Sequence, residues 1–347
     1  MSSLIALIRR AILPLLVTLP LALALPASAQ ATGTATLRAP SSFGERAPVK
    51  IGVSGPFSGP SAPMGLSMRE GIRIAAAEIN ASGGLLGHRV ELVERDDEAS
   101  NELGAQIVRD FVNRERVVAG LGIVNTGVAL ASQRHYQTAR IPVITSVATG
   151  TLITRQFQPP EFAENYVFRV SANDTLQAEV IVDEAVTRRG LNRLAILHDA
   201  TNYGVLGSAD LAAALRQQGI EPVAIERFQL RQTDMRVQLE RARAAGAQAV
   251  LTYGIGPELA HIANGMARMG WQVPIIGSWT LAMSNFIEIA GRNAEGARMP
   301  QTFIQVPRTA KQAAFLQAWR DATGTPRIPV PPAAAQGYDS MLLLAAA

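Results

Sequence analysis

From Val49 onward the chain alternates between two patterns. Short apolar runs rich in β-branched residues give way to longer stretches whose apolar positions recur every three or four residues. The runs VKIGV, VELVER, VVAGLG and IPVIT, beginning at residues 49, 90, 117 and 141, read as strands. The stretches between them read as helices over about Met64–Ala81, across Ala105–Val112 and over Val128–Ala139, the first closed by Ser82-Gly83-Gly84. The pattern then restarts after YVFRVSAND. Strands RLAILHD, EPVAIERF, AVLTYG and PIIGS are spaced by helices expected at Leu176–Thr187, Tyr203–Gln218, Asp234–Ala245 and Pro257–Met269. Strands separated by single helices form right-handed βαβ units, and strands apolar on both faces belong to parallel sheets covered on both sides.

The expected fold class is therefore α/β, with two doubly wound parallel-sheet lobes. The first lobe is expected over residues 49–169 and the second over 170–296. Residues 297–347, with ARMPQTFIQV and a helix over Thr309–Ala322, read as the chain crossing back to complete the first lobe. The end, AAAQGYDSMLLLAAA, stops inside an apolar helical stretch without a capping glycine, which reads as a truncated C-terminus.

The first residues concern address. Arg9 and Arg10 precede the apolar run AILPLLVTLPLALAL, and Ala27-Ser28-Ala29 supplies a small-x-small cleavage signal. Residues 1–29 thus read as a signal peptide cut before Gln30, directing the chain to the periplasm. Pro14, Pro20 and Pro26 interrupt that run, which argues against an uncleaved membrane anchor. Residues 30–48 have the composition of a flexible linker.

Composition narrows the function. A formal net charge of +4 without a basic cluster gives no footprint for nucleic acid. The chain contains no cysteine, which excludes disulfides, thiolate metal sites and a cysteine nucleophile. It has no G-x-S-x-G elbow, phosphate-binding G-x-x-x-x-G-K-[ST] or H-E-x-x-H pattern, so neither an enzyme, a cofactor nor a metal is expected. His88, His135, His198 and His261 fall on separate elements, and Asp96-Asp97 reads as a solvated strand end rather than a metal pair.

Candidate chemistry sits where strands meet helices. Ligands of parallel α/β sheets lie outside the carboxyl ends of the strands, where helix N-termini present free N–H groups. The loop SGPFSGPSAPMG after the first strand, with its glycines and prolines, is placed as a ligand-facing wall. GIVNTG (Gly122–Gly127), TSVATG (Thr145–Gly150), HDATNYG (His198–Gly204) and TYGIGPE (Thr252–Glu258) bring hydroxyl, amide and tyrosine groups to four more strand ends. Such groups suit a carboxylate, and tyrosine adds an apolar face with one hydrogen bond.

The segments IGVSGPFSGPSAPMG, AAAEINASGGLLGHRVELVERDDEAS, IPVITSVAT, LAILHDATNYG and GYDS, in this order, resemble the branched-chain amino-acid-binding proteins of ABC transporters, the type I periplasmic binding proteins. The resemblance implies two lobes joined by hinge strands, closing on a small solute and then recognised by an inner-membrane ABC permease, the protein acting as a monomer without cofactor. It implies that the ligand carboxylate and amino group are held by Asn125 or Thr126, Ser146, the Ala148 backbone and Thr149, with Met64 against the ligand side chain. From across the cleft it implies Tyr203 and the loop near Tyr253 and Ile255, and it adds Tyr338 as a further aromatic. Where amino-acid-binding members carry an acid for the ammonium, IIGSWTLA supplies Trp279. A buried ammonium without a counter-charge is costly, so an aromatic or aliphatic acid is favoured over a branched-chain amino acid. A ligand sensor feeding a membrane signalling protein is the alternative reading. An exported α/β hydrolase is the third.

Overall fold

A computed structural model describes residues 46–347. The expected leader and most of the linker lie outside the described residues; Arg46–Pro48 are exposed and irregular.

The chain builds two parallel sheets in succession. The first contains β1 (Val49–Gly55), β2 (Val90–Asp96), β3 (Ala119–Gly122), β4 (Val143–Thr145) and β5 (Val167–Arg169), in the order β2-β1-β3-β4-β5. The second contains β6 (Leu194–Asp199), β7 (Ala224–Phe228), β8 (Ala249–Tyr253) and β9 (Ile275–Gly277), in the order β7-β6-β8-β9. Residues of β3, β4, β6, β8 and β9 are buried throughout, as strands with helices on both faces must be. The covering helices are α1 (Ala62–Ala81), α2 (Asn101–Asp110), α3 (Thr126–Ala139) and the short α4 (Leu152–Arg155) on the first sheet. On the second they are α5 (Asp174–Val182), α6 (Asn202–Gln217), α7 (Arg236–Ala244), α8 (Gly256–Arg268) and α9 (Ser284–Ala290). Finally, α10 (Ala310–Thr323) and α11 (Pro331–Ala346) pack against α1, so the end of the chain returns to the first sheet.

Local chemistry starts these helices where the sequence suggests. Ser100, Asn173, Thr201 and Thr309 accept the N–H of Leu103, Leu176, Gly204 and Gln312, satisfying donors that the first helical turn leaves free. Both α2 and α5 end in a single wide π-turn, Phe111–Glu115 and Asp183–Thr187, beyond the reach of a periodicity argument. The return segment ARMPQTFIQV forms no strand: Arg298 makes one isolated parallel bridge to Ile276, and the chain then runs irregularly to Thr309.

Both sheets reverse their order once, between β1 and β3 in the first and between β6 and β8 in the second. At such a reversal the outgoing loops diverge to opposite faces and leave a crevice at the carboxyl ends of the strands. The backbone there is strained. Gly122 has φ 111° and Ile123, fully buried and β-branched, has φ 62°. An L residue branched at Cβ rarely adopts that conformation, and three hydrogen bonds hold it: Ile123 N–H to Ser54 O (2.8 Å), Ser146 N–H to Gly122 O (2.7 Å) and Ala148 N–H to Ile123 O (3.0 Å).

Asp97, expected in solvent at a strand end, is instead fully buried. Its Oδ1 accepts the Ala99 N–H at 2.9 Å and its Oδ2 has no partner. Burial pushes its carboxyl up to about 7, with the neighbouring Asp96 charge adding to the rise. A carboxyl whose folded value is raised binds its proton more tightly in the folded state, so the stability it contributes is present at low pH and is lost as pH rises towards 7. Asp97→Asn cannot ionise. Thermal melts at pH 5 and pH 8 should therefore show the variant gaining about 2–3 kcal/mol relative to wild type between the two values, at about 1.4 kcal/mol per pH unit over that range. An equal difference at both would mean that Asp97 is ionised throughout.

Candidate functional site

A cavity of about 520 Å³ lies where the two crevices face each other. The β1 loop contributes Pro60 and Ser61, the β3 loop Asn125 to Gly127, the β6 loop Ala200 to Tyr203, and the β8 loop Ile255 and Glu258. Glu98 to Glu102, after β2, close one side. A smaller cavity of about 210 Å³ lies beside the crossing segments and is lined by Thr149, Gln177, Trp279, Thr302 and Gln336 among others. The two halves touch around these spaces: Asn285 Nδ2 donates to Pro60 O at 2.9 Å and Thr151 Oγ1 to Asp210 Oδ2 at 3.1 Å.

The larger cavity is walled by polar atoms that the protein leaves unsatisfied. Asn125 donates through Nδ2 to Ser61 Oγ (3.2 Å), but its Oδ1 has no partner. The Thr126 and Tyr203 hydroxyls and Glu258 Oε2 are likewise buried without one. Buried polar groups are normally paired, so unpaired ones converging on one cavity mark where a ligand supplies the missing partners. The first N–H groups of α3 open into the same space beside Thr126, and a carboxylate suits them.

Asn125, Thr126, Tyr203 and Ile255 thus line the larger cavity, while Thr149 and Trp279 line the smaller. The ring of Tyr203 leans on that of Tyr253, centroids 4.9 Å apart. Tyr253 is fully buried and lines neither cavity. Its hydroxyl donates to Asp174 Oδ1 at 2.7 Å, which makes it a brace behind Tyr203. Ser146 is fully buried with an unpartnered hydroxyl, also away from both linings.

Three residues expected as contacts lie outside both linings. Ala148 spends its N–H on Ile123 and its C=O on Ser171 Oγ (2.9 Å), so its backbone stiffens the β4 loop instead of reaching a ligand. Met64, 2 % exposed, packs into the core with Met68 and Ile72, because its position on α1 faces the sheet. Tyr338 lies on α11 against α1 and α10: its hydroxyl donates to Glu78 Oε2 at 2.6 Å and its ring sits 5.0 Å from Phe315. It is a packing residue between helices.

Three buried acids went unassigned in the sequence. Asp174, at the start of α5, gathers the Tyr253 hydroxyl and Gln177 Nε2 (3.4 Å) on one oxygen and leaves the other free. Burial raises its carboxyl to about 6. Asp199 gathers the Thr201 N–H (2.9 Å), the Thr201 hydroxyl (2.5 Å) and the Gly204 N–H (3.2 Å) on Oδ1, and its Oδ2 is free. Burial lifts it to about 6, and the charge of Glu258 adds to the rise. Glu258 Oε1 accepts the Arg231 N–H at 2.5 Å. In sequence Asp174 and Glu258 stand in the first turn of a helix and Asp199 at a strand end, places where a carboxylate needs no burial to explain it. Burial is the signal the sequence lacks.

Two doubly wound sheets thus face each other across a cavity whose lining residues carry buried, unpartnered polar atoms. The periplasmic binding protein profile matches residues 48–347, and the chain belongs to that family. It is 29% identical over 251 residues to Leu/Ile/Val-binding protein homolog 3 of Brucella melitensis, covering 72% of this chain and 66% of that protein. An amino acid binding protein of Pseudomonas aeruginosa is 29% identical over 225 residues, 65% of this chain and 58% of the relative. The matches therefore span two thirds or less of the length of these curated relatives. Among solved structures, the branched-chain amino acid transporter substrate-binding protein of Streptococcus pneumoniae, in complex with isoleucine, superposes with a TM-score of 0.77 at 26% identity, covering 86% of this chain and 83% of that one. The family is non-enzymatic and its name implies a periplasmic location. Among the described residues no helix is long and apolar enough to cross a membrane.

Proposed function

We propose that this protein is the extracytoplasmic receptor of an ABC transporter, with residues 49–169 and 297–347 as one lobe, 170–296 as the other, and a small carboxylate-bearing solute held between them. The observation that carries this reading is the cavity shared by the two sheet-reversal crevices, whose lining residues Asn125, Thr126 and Tyr203 each carry a buried polar atom without a protein partner. Thr126 and the first N–H groups of α3 take the carboxylate. Tyr203 and Ile255 close over the solute from the second lobe, while Thr149 and Trp279 line the smaller cavity. An inner-membrane permease then recognises the closed form. The relatives named for Leu/Ile/Val and amino acid binding, and the structure solved with isoleucine, support a small carboxylate as the ligand class.

Thermal unfolding with two ligand sets tests this. One set is leucine, isoleucine and valine; the other is acids without an ammonium, such as benzoate and 4-methylpentanoate. A ligand that binds only the folded protein stabilises it by about 2.7 kcal/mol at a hundred times its Kd. Thr126→Val removes a hydroxyl and leaves the shape, and it should weaken the binding ligand about tenfold or more, as the loss of a hydrogen bond to a charged group does. A protein stabilised by neither set overturns the ligand class, and unchanged affinity in Thr126→Val overturns the placement of the carboxylate.

A further inference from the structure

The two lobes also meet away from the solute. Thr151, at the start of α4, is buried and belongs to the first lobe. Thr175, in the first turn of α5, and Asp210, midway along α6, belong to the second. Thr151 Oγ1 accepts the Thr175 N–H at 3.2 Å, lies 3.0 Å from Thr175 Oγ1 and donates to Asp210 Oδ2 at 3.1 Å. A hydroxyl has one proton and two lone pairs, and an ionised carboxylate only accepts. The Thr151 proton therefore points to Asp210, the Thr175 hydroxyl donates to Thr151, and the Thr151 oxygen uses its full bonding capacity between the lobes. None of the three residues lines either cavity.

The contact carries charge. Burial raises the Asp210 carboxyl, while the Thr151 hydroxyl and the Arg155 guanidinium at the end of α4 pull it down. A group that pulls a carboxyl down stabilises its ionised form, so two residues of the first lobe attract the charge of the second. Asp174 opposes that charge, since Asp210 helps raise its carboxyl, but it belongs to the same lobe as Asp210 and repels it whether the lobes are apart or together. Hydrogen bonds to an ionised group are roughly twice as strong as neutral ones. By contrast, the bond from Asn285 Nδ2 to Pro60 O joins two neutral groups.

We propose that Asp210 and Thr151 form a latch that holds the two lobes shut, setting the affinity for every solute by one common factor without touching any of them. The proposal rests on the two-lobe reading. Where the bound form is the closed one, the measured affinity is that of the closed form reduced by the cost of closing, so a contact made only on closing enters each Kd equally. The lobes meet after the solute has entered. The latch therefore acts on dissociation, where most differences in affinity arise, and leaves association alone.

The test titrates leucine, valine, benzoate and 4-methylpentanoate into the purified protein and follows their association and dissociation by stopped-flow tryptophan fluorescence. Thr151→Val keeps the side-chain shape and removes the hydroxyl. It is expected to raise the Kd of every solute that wild type binds by about tenfold, the scale of losing a hydrogen bond to a charged group, through faster dissociation. The ratio of Kd values between solutes should stay within about twofold of wild type. Thr151→Ser restores the hydroxyl and should restore the affinity. Asp210→Ala should weaken binding alike, and the two losses should not add, because both variants cut the same bond. Unchanged Kd values in Thr151→Val and Asp210→Ala overturn the latch, since the contact would then persist when the lobes part, and they leave the two-lobe reading standing. Losses that differ from one solute to the next also overturn it, as does slower association with unchanged dissociation. A wild-type protein that binds none of the four solutes removes the two-lobe reading and the latch with it. Should Thr151→Val fail to fold, Asp210→Ala, at a partly exposed helix position, decides alone.

Discussion

Gly71→Ala should lower stability by about 3 kcal/mol and the melting temperature by roughly 5–10 °C. In an exposed helix the same change is favourable by about 1 kcal/mol, because alanine is the better helix former. The sign reverses here because of what the residue faces. Helices α1 and α11 cross at Gly71 and Gly337. A Cβ on Gly71 would fall inside contact distance of the Ala334 carbonyl oxygen, and one on Gly337 would meet the carbonyl of Met68. Both obstacles are backbone, so no rotamer change can relieve them, and the helices would have to part. Parting would also stretch the bond from Val330 N–H to Ser67 Oγ, 3.2 Å, which ties the start of α11 to α1. Since the first replacement already separates the helices, adding Gly337→Ala should cost less than it does alone. Urea melts of the two single variants and the double check both points. A neutral Gly71→Ala would mean that the crossing is looser than these contacts.

That crossing also shows where sequence reasoning succeeds and where it stops. Runs such as LAIL and AVL are apolar at every position, and only a strand covered on both faces needs that, so the two parallel sheets follow from the pattern itself. The loops after β1, β3, β6 and β8 follow too, because order reversals put them at one crevice and all four line the cavity. Side-chain direction is what the pattern lacks. Met64 and Tyr338 occupy helix positions that could face a ligand, yet one turns into the core and the other binds Glu78. Asp97, Asp174, Asp199 and Glu258 look like ordinary charges at strand ends or helix starts. Their burial arises from elements far away in the chain, such as Tyr253 reaching Asp174 and the Arg231 turn covering Glu258. The π-turns closing α2 and α5 were illegible for a related reason, being wider than the period used to find a helix.

Gly207→Ala should be strongly destabilising, and its effect should pass through Tyr253 to the ligand. The absent side chain of Gly207, on α6, makes room for the Tyr253 ring, which would collide with a Cβ there across its Cδ1 and Cε1 edge. The ring cannot move alone: its hydroxyl holds the buried Asp174 carboxyl at 2.7 Å, and its face supports Tyr203, a residue of the cavity lining. Displacing it strips a buried carboxylate of its best donor and moves a cavity wall. The expected cost is about 3 kcal/mol of stability, the scale of overpacking a core and leaving a buried carboxyl without its hydrogen-bond donor, together with at least a tenfold loss of affinity. A double-mutant cycle separates this route from a general defect of α6. In a Tyr253→Ala background there is no ring to strike, so Gly207→Ala should become nearly neutral, with a coupling of about 2 kcal/mol or more in both stability and binding. Independent, additive losses would show that Gly207 matters to the helix rather than to the tyrosine pair, and the chain of contact from α6 through Tyr253 to Tyr203 would then carry no part of the binding energy.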